Sequence, residues 1–100
     1  MKSLRAFFKR RCDEDLIGWG PSDWYFEAAP DGYVSRQVEV YANGRVLAYD
    51  EQHLADADGM LTDQPLELSE FAPFAISEQE LANTWERALL MRTEPTRCRE

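Results

Sequence analysis

The only histidine in the chain, His53, lies among residue types that metal binding or acid–base catalysis would use. Four carboxylates stand within five positions of it: Asp50, Glu51, Asp56 and Asp58. Imidazole and carboxylate groups together can hold a divalent metal or transfer a proton. The segment does not match an EF-hand calcium loop, which needs a glycine and a bidentate glutamate at fixed positions. We therefore interpret it as a solvated acidic loop, with a small-ligand or metal-dependent enzyme centred on His53 as the alternative.

Two further arrangements could carry catalysis, and neither has the partners it needs. Glu27 and Glu39 can face one another across adjacent strands, as glycosidase carboxylates do, but on a hairpin such pairs are usually solvent-exposed. Basic neighbours would favour the thiolate of Cys12, yet the histidine that would activate it is distant in sequence. The sequence also has no glycine-rich phosphate-binding loop. We expect a protein that is not an enzyme and that uses no metal or other cofactor.

The charge of the chain is acidic overall and unevenly distributed. The net charge is −8, yet residues 1–11 carry five of the eleven basic groups and no acid. The remaining 89 residues hold six basic and 19 acidic groups, a balance of −13. Nucleic-acid binding requires clustered lysine and arginine, so this body is expected to repel nucleic acid. A cationic protein partner is favoured instead.

Neither a secretion signal nor a membrane span is recognisable in the sequence. The apolar run that follows Lys2 and Arg5 covers only residues 6–8, too few for the core of a signal peptide. No stretch approaches the roughly 20 apolar residues of a membrane-spanning helix. Cys12 and Cys98 lie in charged segments near the two ends of the sequence. We expect a cytoplasmic protein whose two thiols are reduced, with a bridge between them as the alternative, since chain termini are often close in space.

The element that would position the candidate residues is a β-hairpin over residues 33–49, closed at Asn43 and Gly44. An Asn-Gly pair between two apolar, β-branched runs is a strong hairpin signal, because both residues tolerate positive φ. Alternation places three valines on the predicted core face: Val34, Val38 and Val40. The opposite face carries Tyr33, Gln37, Glu39 and Tyr41. Function is expected on this second face unless the acidic loop covers it.

Two turn geometries are compatible with the hairpin. A two-residue loop turns Leu47 and Tyr49 toward the core. A type I turn with a bulge at Gly44 turns Val46 and Ala48 inward instead. We predict the two-residue loop, because leucine and tyrosine fill more core volume than valine and alanine do.

Around the hairpin, the sequence predicts a single α+β domain over residues 1–100. It consists of a three-stranded antiparallel β-meander with a packed C-terminal helix, a short N-terminal helix and a long acidic loop. Leu4, Phe7 and Phe8 have helical spacing, and Ser77 with Glu80 forms a capping box at the start of the last helix. The predicted bounds are 2–12 for the basic N-terminal helix, 23–50 for the meander, 51–75 for the loop and 77–92 for the C-terminal helix.

Acidic and aromatic residues that the core does not need predict a protein-binding surface. A three-stranded sheet has two faces, and one C-terminal helix covers only one of them, so some aromatic side chains face outward unless the acidic loop covers the second face. Carboxylates would steer a cationic partner and tyrosines would anchor it. The predicted partner-binding residues are Tyr33, Glu39, Tyr41, Asp50, Glu51, Asp56, Asp58 and Asp63.

The segment from Trp24 to Trp85 resembles a family of short bacterial proteins, a domain of unknown function. Its most specific parts are residues 36–41, RQVEVY, followed by a turn glycine, and residues 71–74, FAPF. In size and acidity, members of such families resemble the small immunity and accessory proteins of bacterial toxin loci. The resemblance implies no catalytic residues. It favours an immunity-type protein that neutralises a cationic toxin or nuclease, and a homo-oligomeric structural protein formed through an exposed edge strand is a further alternative.

Overall fold

An antiparallel β-sheet forms the centre of the fold. The computed structural model describes residues 5–15 and 17–98, with residues 92–98 as backbone alone. Within these residues the sheet has four strands, β1 (Ala6–Cys12), β2 (Ser22–Ala28), β3 (Val34–Tyr41) and β4 (Val46–Asp50), in the spatial order β1-β2-β3-β4. A short helix α1 (Leu68–Phe71), a 3₁₀ turn (Ala72–Phe74) and a long helix α2 (Glu78–Cys98) follow. The predicted α+β class with a C-terminal helix is confirmed, and the predicted count of three strands is wrong by one.

The basic N-terminal segment is a strand and not the predicted helix. Strand β1 pairs antiparallel with β2 along its whole length. Phe7 and Phe8 are both buried, although neighbouring residues of a strand point to opposite faces. Each face of the sheet has its own buried cluster, so adjacent apolar residues can both be buried in a strand. Residues 2–4 of the predicted helix lie outside the described residues.

The β3–β4 hairpin closes with the bulged turn and not with the predicted two-residue loop. The amide of Tyr41 donates to the carbonyl of Arg45 (2.9 Å), and the amide of Gly44 donates to the carbonyl of Tyr41 (2.9 Å). Gly44 has a φ of +95° and Asn43 does not have a positive φ, which fits a type I turn followed by a glycine bulge. The volume rule failed because Leu47 and Tyr49 are buried on the other face of the sheet, which is also covered.

One face of the sheet, the helix face, packs against α2. Its buried cluster combines two strand residues with two helix residues: Val38, Ala48, Trp85 and Ala88. Strand alternation and the helical spacing of α2 bring these side chains together, as predicted for Val38. The helix face is therefore an apolar core.

Helix α2 begins where the sequence predicted. The amide of Glu80 donates to the hydroxyl of Ser77 (3.0 Å), which satisfies one of the free donors of the first turn. Leu81 in that turn is fully buried. The helix continues to Cys98, past its predicted end at residue 92. In the described part of the chain, no helix is both long enough and apolar enough to cross a membrane.

The other face, the loop face, is covered by the segment that follows β4. Its buried cluster is Phe26, Val34, Tyr41, Leu47, Tyr49 and Leu61. Val34 was predicted on the face of Val38, but an irregularity in the β2–β3 pairing sets Val34 opposite Ala28 and moves it to the loop face. Phe71 of α1 packs edge-on against Phe8 and Phe26, with ring centroids 5.6 and 5.8 Å apart. The acidic loop and α1 thus cover most of the second face.

Candidate functional site

A ladder of three polar side chains runs along β3 on the loop face. Gln37, Glu39 and Tyr41 lie at alternate positions and are only 2, 4 and 5% exposed. The hydroxyl of Tyr41 donates to Oε1 of Glu39 (2.6 Å), and Nε2 of Gln37 donates to Oε2 of Glu39 (2.7 Å). A buried carboxylate is therefore held in a fixed orientation between two donors.

Gln37 also fixes the path of the acidic loop over the sheet. Its Nε2 donates to the carbonyl of Met60 (3.1 Å), and its Oε1 accepts a hydrogen bond from the amide of Thr62 (2.9 Å). One side chain thus binds two backbone groups of the loop and the carboxylate of Glu39. The position of residues 60–62 above β3 depends on this amide.

A cavity of about 370 Å³ opens above the polar ladder, and we call it the loop-face pocket. The ladder forms its floor, Ile17, Trp24 and Met60 contribute apolar wall, and Asp58 and Asp63 lie at its rim. Of the described residues that line it, none is basic. A concave, largely apolar site with a few convergent polar groups is typical of ligand and anchor-residue pockets.

The electrostatics of the floor favour a positive charge. Burial raises the pKa of Glu39, against the hydrogen bonds from Tyr41 and Gln37, which lower it, and the negative charge of Asp56 raises it further. Burial also raises the pKa of Tyr41, and its hydrogen bond to Glu39 adds to that effect. An ionised Glu39 is costly in this site because no basic side chain lines the described pocket to compensate for its lost hydration.

At the margin of the pocket, the chain already places a guanidinium between an aromatic ring and a carboxylate. The guanidinium of Arg45 lies 4.4 Å from the ring centroid of Trp19, and its Nη2 is 3.5 Å from Oδ2 of Asp58. Trp19 in turn packs edge-on against Tyr41, with centroids 5.1 Å apart. The surroundings of the pocket are therefore suited to planar cations.

The structure brings together four of the eight predicted partner-binding residues. Glu39 and Tyr41 lie at the floor of the loop-face pocket, and Asp58 and Asp63 lie at its rim. Glu39 and Tyr41 are buried instead of lying on an open sheet face, because the loop covers that face. Glu39 nevertheless lines the loop-face pocket.

The other four predicted residues are dispersed. Asp50 and Glu51 line a separate polar cavity of about 270 Å³, together with Arg36 and Glu27. Asp56 holds the loop together: its Oδ1 accepts hydrogen bonds from the hydroxyl of Tyr49 and from the amides of residues 58 and 59. Tyr33 is 51% exposed and lines neither cavity.

The convergence that an enzyme centred on His53 requires is not found in the described residues. Nε2 of His53 lies 3.5 Å from Oδ2 of Asp56, at the limit of hydrogen bonding, and the imidazole stacks on Tyr49 with centroids 5.8 Å apart. Oδ1 of Asp50 accepts the amide of Gln52. Among the residues that the structure describes, no group of three or more His, Cys, Asp or Glu side chains could hold a metal ion.

Sequence reasoning placed Gln37 on the face of Glu39 and Tyr41 but did not include it among the predicted partner-binding residues, and it did not identify the walls of the pocket. Gln37 alternates with Glu39 and Tyr41, so a polar triplet with a period of two was visible. Trp24 lies on the same face of β2 as Phe26, but Ile17 and Met60 belong to loops whose paths no local pattern predicts. The residues that form the walls could therefore be identified only from the tertiary structure.

Comparison with known proteins does not extend this geometric description. Models of protein families, curated proteins and solved structures were compared with the chain, and none matches. The resemblance to a family of short bacterial proteins stays a prediction.

Proposed function

We propose that the protein is a non-enzymatic, acidic interaction domain that binds a cationic protein partner at its loop face. The loop-face pocket carries this proposal, because it combines a buried carboxylate, apolar walls and an acidic rim. None of the described residues that line it is basic. A positive group from a partner would supply the missing counter-charge.

The distribution of charge supports the same kind of partner. Beyond residue 11 the chain has a balance of −13, and Asp58 and Asp63 at the pocket rim are exposed. Such a field attracts a basic protein over several ångströms and raises its association rate, with a strong dependence on ionic strength. Apolar side chains beside the rim, Ile17 and Met60, are about half exposed and provide contact area.

An immunity-type role is the most concrete form of this proposal. Toxins that act on nucleic acid need a basic surface to bind phosphate. A small acidic protein that covers such a surface competes with the nucleic acid and blocks the toxin. The acidity of this chain and its loop-face pocket support such a role, the first by attracting a basic surface and the second by anchoring one of its side chains.

The alternatives lack a supporting observation. An enzyme centred on His53 needs converging carboxylates, but among the described residues only that of Asp56 lies near Nε2 (3.5 Å), and Asp50 and Glu51 line a separate cavity that does not include His53. Self-association through β1, one of the two edge strands, would bring the basic residues 9–11 of two copies together. Like charges on paired strands are destabilising, and a charged edge opposes strand pairing.

Affinity capture with two charge-reversal variants tests the proposal. Asp63→Lys changes the pocket rim, and Glu86→Lys changes an exposed residue of α2 by the same amount of charge. The wild-type protein is immobilised in a low-salt lysate of the source cells that contains the neighbouring gene products. We expect the wild type and Glu86→Lys to retain the same basic protein, Asp63→Lys to retain at least fivefold less, and moderate salt to release it.

Three results would contradict the proposal. They are the recovery of no protein by the wild type at low salt, equal recovery by wild type and Asp63→Lys, and a captured partner without a basic surface. Equal loss in both variants would point to overall charge and not to the loop face, and would also contradict it.

A further inference from the structure

We infer that the loop-face pocket is the subsite for one arginine side chain of the partner, with Glu39 as the counter-ion of its guanidinium. This inference rests on the proposed function and makes it more specific. It assigns a role to Glu39, whose burial would otherwise serve only the polar ladder.

The shape of the pocket suits a side chain with an apolar stem and a charged end. Ile17, Trp24 and Met60 can contact the methylene groups of an arginine, while the carboxylate of Glu39 lies at the floor. Long cationic side chains commonly bury their stems in this way and direct the charged group to a polar partner. Trp24 also contributes an aromatic ring to the pocket lining, and guanidinium groups pack favourably against aromatic rings.

Hydrogen-bond accounting shows that the floor presents acceptors. Both polar atoms of the Gln37 amide are engaged, with Glu39, Met60 and Thr62. Each oxygen of the ionised Glu39 accepts one of these bonds and retains a further lone pair. The hydroxyl of Tyr41 donates its proton to Glu39 and keeps acceptor capacity. A ligand rich in donors and without acceptors, such as guanidinium, complements this floor.

Two arginines of the chain itself show how this protein stabilises a guanidinium. The guanidinium of Arg45 lies over Trp19 beside Asp58, and that of Arg36 lies 5.4 Å from the ring centroid of Trp85 while Nε donates to Glu27 (2.7 Å). Both places combine an aromatic ring, a carboxylate and an arginine. The loop-face pocket has the ring and the carboxylate, and the partner would provide the arginine.

Binding of arginine at this site is linked to pH. The groups that act on Glu39 are Tyr41 and Gln37 on β3 and Asp56 of the loop. Asp58 and Asp63 share the pocket lining with Glu39, and Arg45 at the margin pairs with Asp58. A bound guanidinium favours the ionised form of Glu39 and releases its proton. Affinity therefore rises as pH rises through the titration of Glu39, and a neutral analogue lacks this dependence.

Nuclear magnetic resonance titration with a capped amino acid tests the subsite directly. The probe is N-acetyl-arginine N-methylamide, and its matched control is the citrulline analogue, which has the same shape and no charge. We expect saturable shifts at the indole N–H of Trp24 and the amides of residues 60–62, with a Kd on the order of millimolar for so small a ligand. The citrulline analogue is expected to bind at least tenfold more weakly.

Glu39→Gln is the diagnostic variant. Its amide can accept from Gln37 and donate to the hydroxyl of Tyr41, so the ladder can persist without the charge. We expect at least tenfold weaker arginine binding, whereas Glu51→Gln, at the separate polar cavity, leaves binding unchanged. If Glu39→Gln alters the spectrum of the free protein, Asp63→Asn at the exposed rim replaces it, with an expected loss of about threefold.

Several outcomes would overturn the subsite. They are equal binding of the arginine and citrulline probes, undiminished binding by both pocket variants, and shifts confined to the cavity of Asp50 and Glu51. Tighter binding of free arginine than of the capped form would also overturn it, because that result would indicate a small-molecule ligand. If the probe fails while Asp63→Lys loses the protein partner, the subsite is wrong and the proposed function stands. If the probe binds and the capture experiment fails, the proposed function is wrong.

Discussion

The helix face and the loop face of the sheet are held by different kinds of interaction. On the helix face, Val38 and Ala48 pack against Trp85, an apolar contact that is not directional. On the loop face, Gln37 and Glu39 are buried as well, and hydrogen bonds attach the covering segment to β3. The stability that apolar burial contributes changes little with pH, whereas the effect of a buried carboxylate on the free energy of unfolding changes with pH.

The difference separates stability from binding. A packed helix fills the space against a sheet, and a loop attached at a few backbone groups leaves space between its attachments. The loop-face pocket of about 370 Å³ lies in such a space, above Glu39. The loop face buries polar side chains, which costs solvation free energy. It is therefore also the face that offers a binding site.

The largest expected effect is on the helix face. Trp85→Ala removes the largest side chain of the helix-face cluster and is expected to cost about 3–5 kcal/mol in the free energy of unfolding. Leu90→Ala, at a position of the same helix that is 70% exposed, is the control and should change it by less than about 0.5 kcal/mol. Urea denaturation followed by circular dichroism measures both. Equal losses would show that α2 does not stabilise the sheet.

On the loop face, Gln37→Ala is expected to cost about 2–3 kcal/mol, because it removes the partner of the Met60 carbonyl and of the Thr62 amide and leaves Glu39 with the Tyr41 hydroxyl as its remaining donor. Hydrogen exchange of the Thr62 amide should accelerate at the same time. Gln79→Ala, on an exposed surface of α2, is the control and should leave that amide unchanged. Unaltered exchange at Thr62 in Gln37→Ala would contradict the role of Gln37 in fixing the loop.

A smaller effect is expected from Tyr49→Phe, which removes the hydroxyl that donates to Oδ1 of Asp56 (2.8 Å). The loss should be about 1 kcal/mol at about pH 7, since the acceptor is charged and partly exposed. Burial opposes ionisation of Asp56, but the amide of Asp58, the Tyr49 hydroxyl and the amide of Gly59 together lower its pKa.

A lowered carboxyl pKa stabilises the fold above the pKa of the unfolded chain, and this contribution disappears as pH falls through the folded value. The difference between Tyr49→Phe and wild type should therefore shrink in urea titrations taken from about pH 7 to about pH 2. Tyr33→Phe, at an exposed position, should show no difference at either pH. A Tyr49→Phe deficit that stays constant down to the lowest pH would contradict the link to Asp56.

Of these variants, Glu39→Gln is expected to change the free energy of unfolding least at acid pH. Burial raises the pKa of Glu39, so the wild-type fold loses stability as pH rises from the unfolded value through the raised folded value. At acid pH, where Glu39 is protonated, the two proteins should agree within about 0.5 kcal/mol. At higher pH the variant should become the more stable one.

Urea titrations from acid to higher pH measure the stability difference between Glu39→Gln and wild type. Glu86→Gln, on an exposed surface of α2, is the control for the loss of one carboxylate. A stability difference between Glu39→Gln and wild type that does not change with pH would show that burial of Glu39 has no energetic consequence.

Local signals in the sequence determined where two elements begin and turn. Asn43 and Gly44 specified the hairpin, and Ser77 specified the start of α2, because a turn and a cap depend on residues close in sequence. The register of the hairpin and the strand character of β1 were predicted wrongly. Both depend on whether one or two faces of the sheet are covered, which no single segment encodes.

The candidate site divides in the same way. Strand alternation placed Glu39 and Tyr41 on one face, since a period of two follows from the backbone alone. The tertiary structure decided that this carboxylate is buried, and that Asp58 and Asp63 join it while Asp50 and Glu51 do not. The path of the loop makes that selection, and Gln37 fixes the path through bonds to residues 23 and 25 positions away. Contacts so distant in sequence form only when the chain closes on itself, and residue spacing does not encode them.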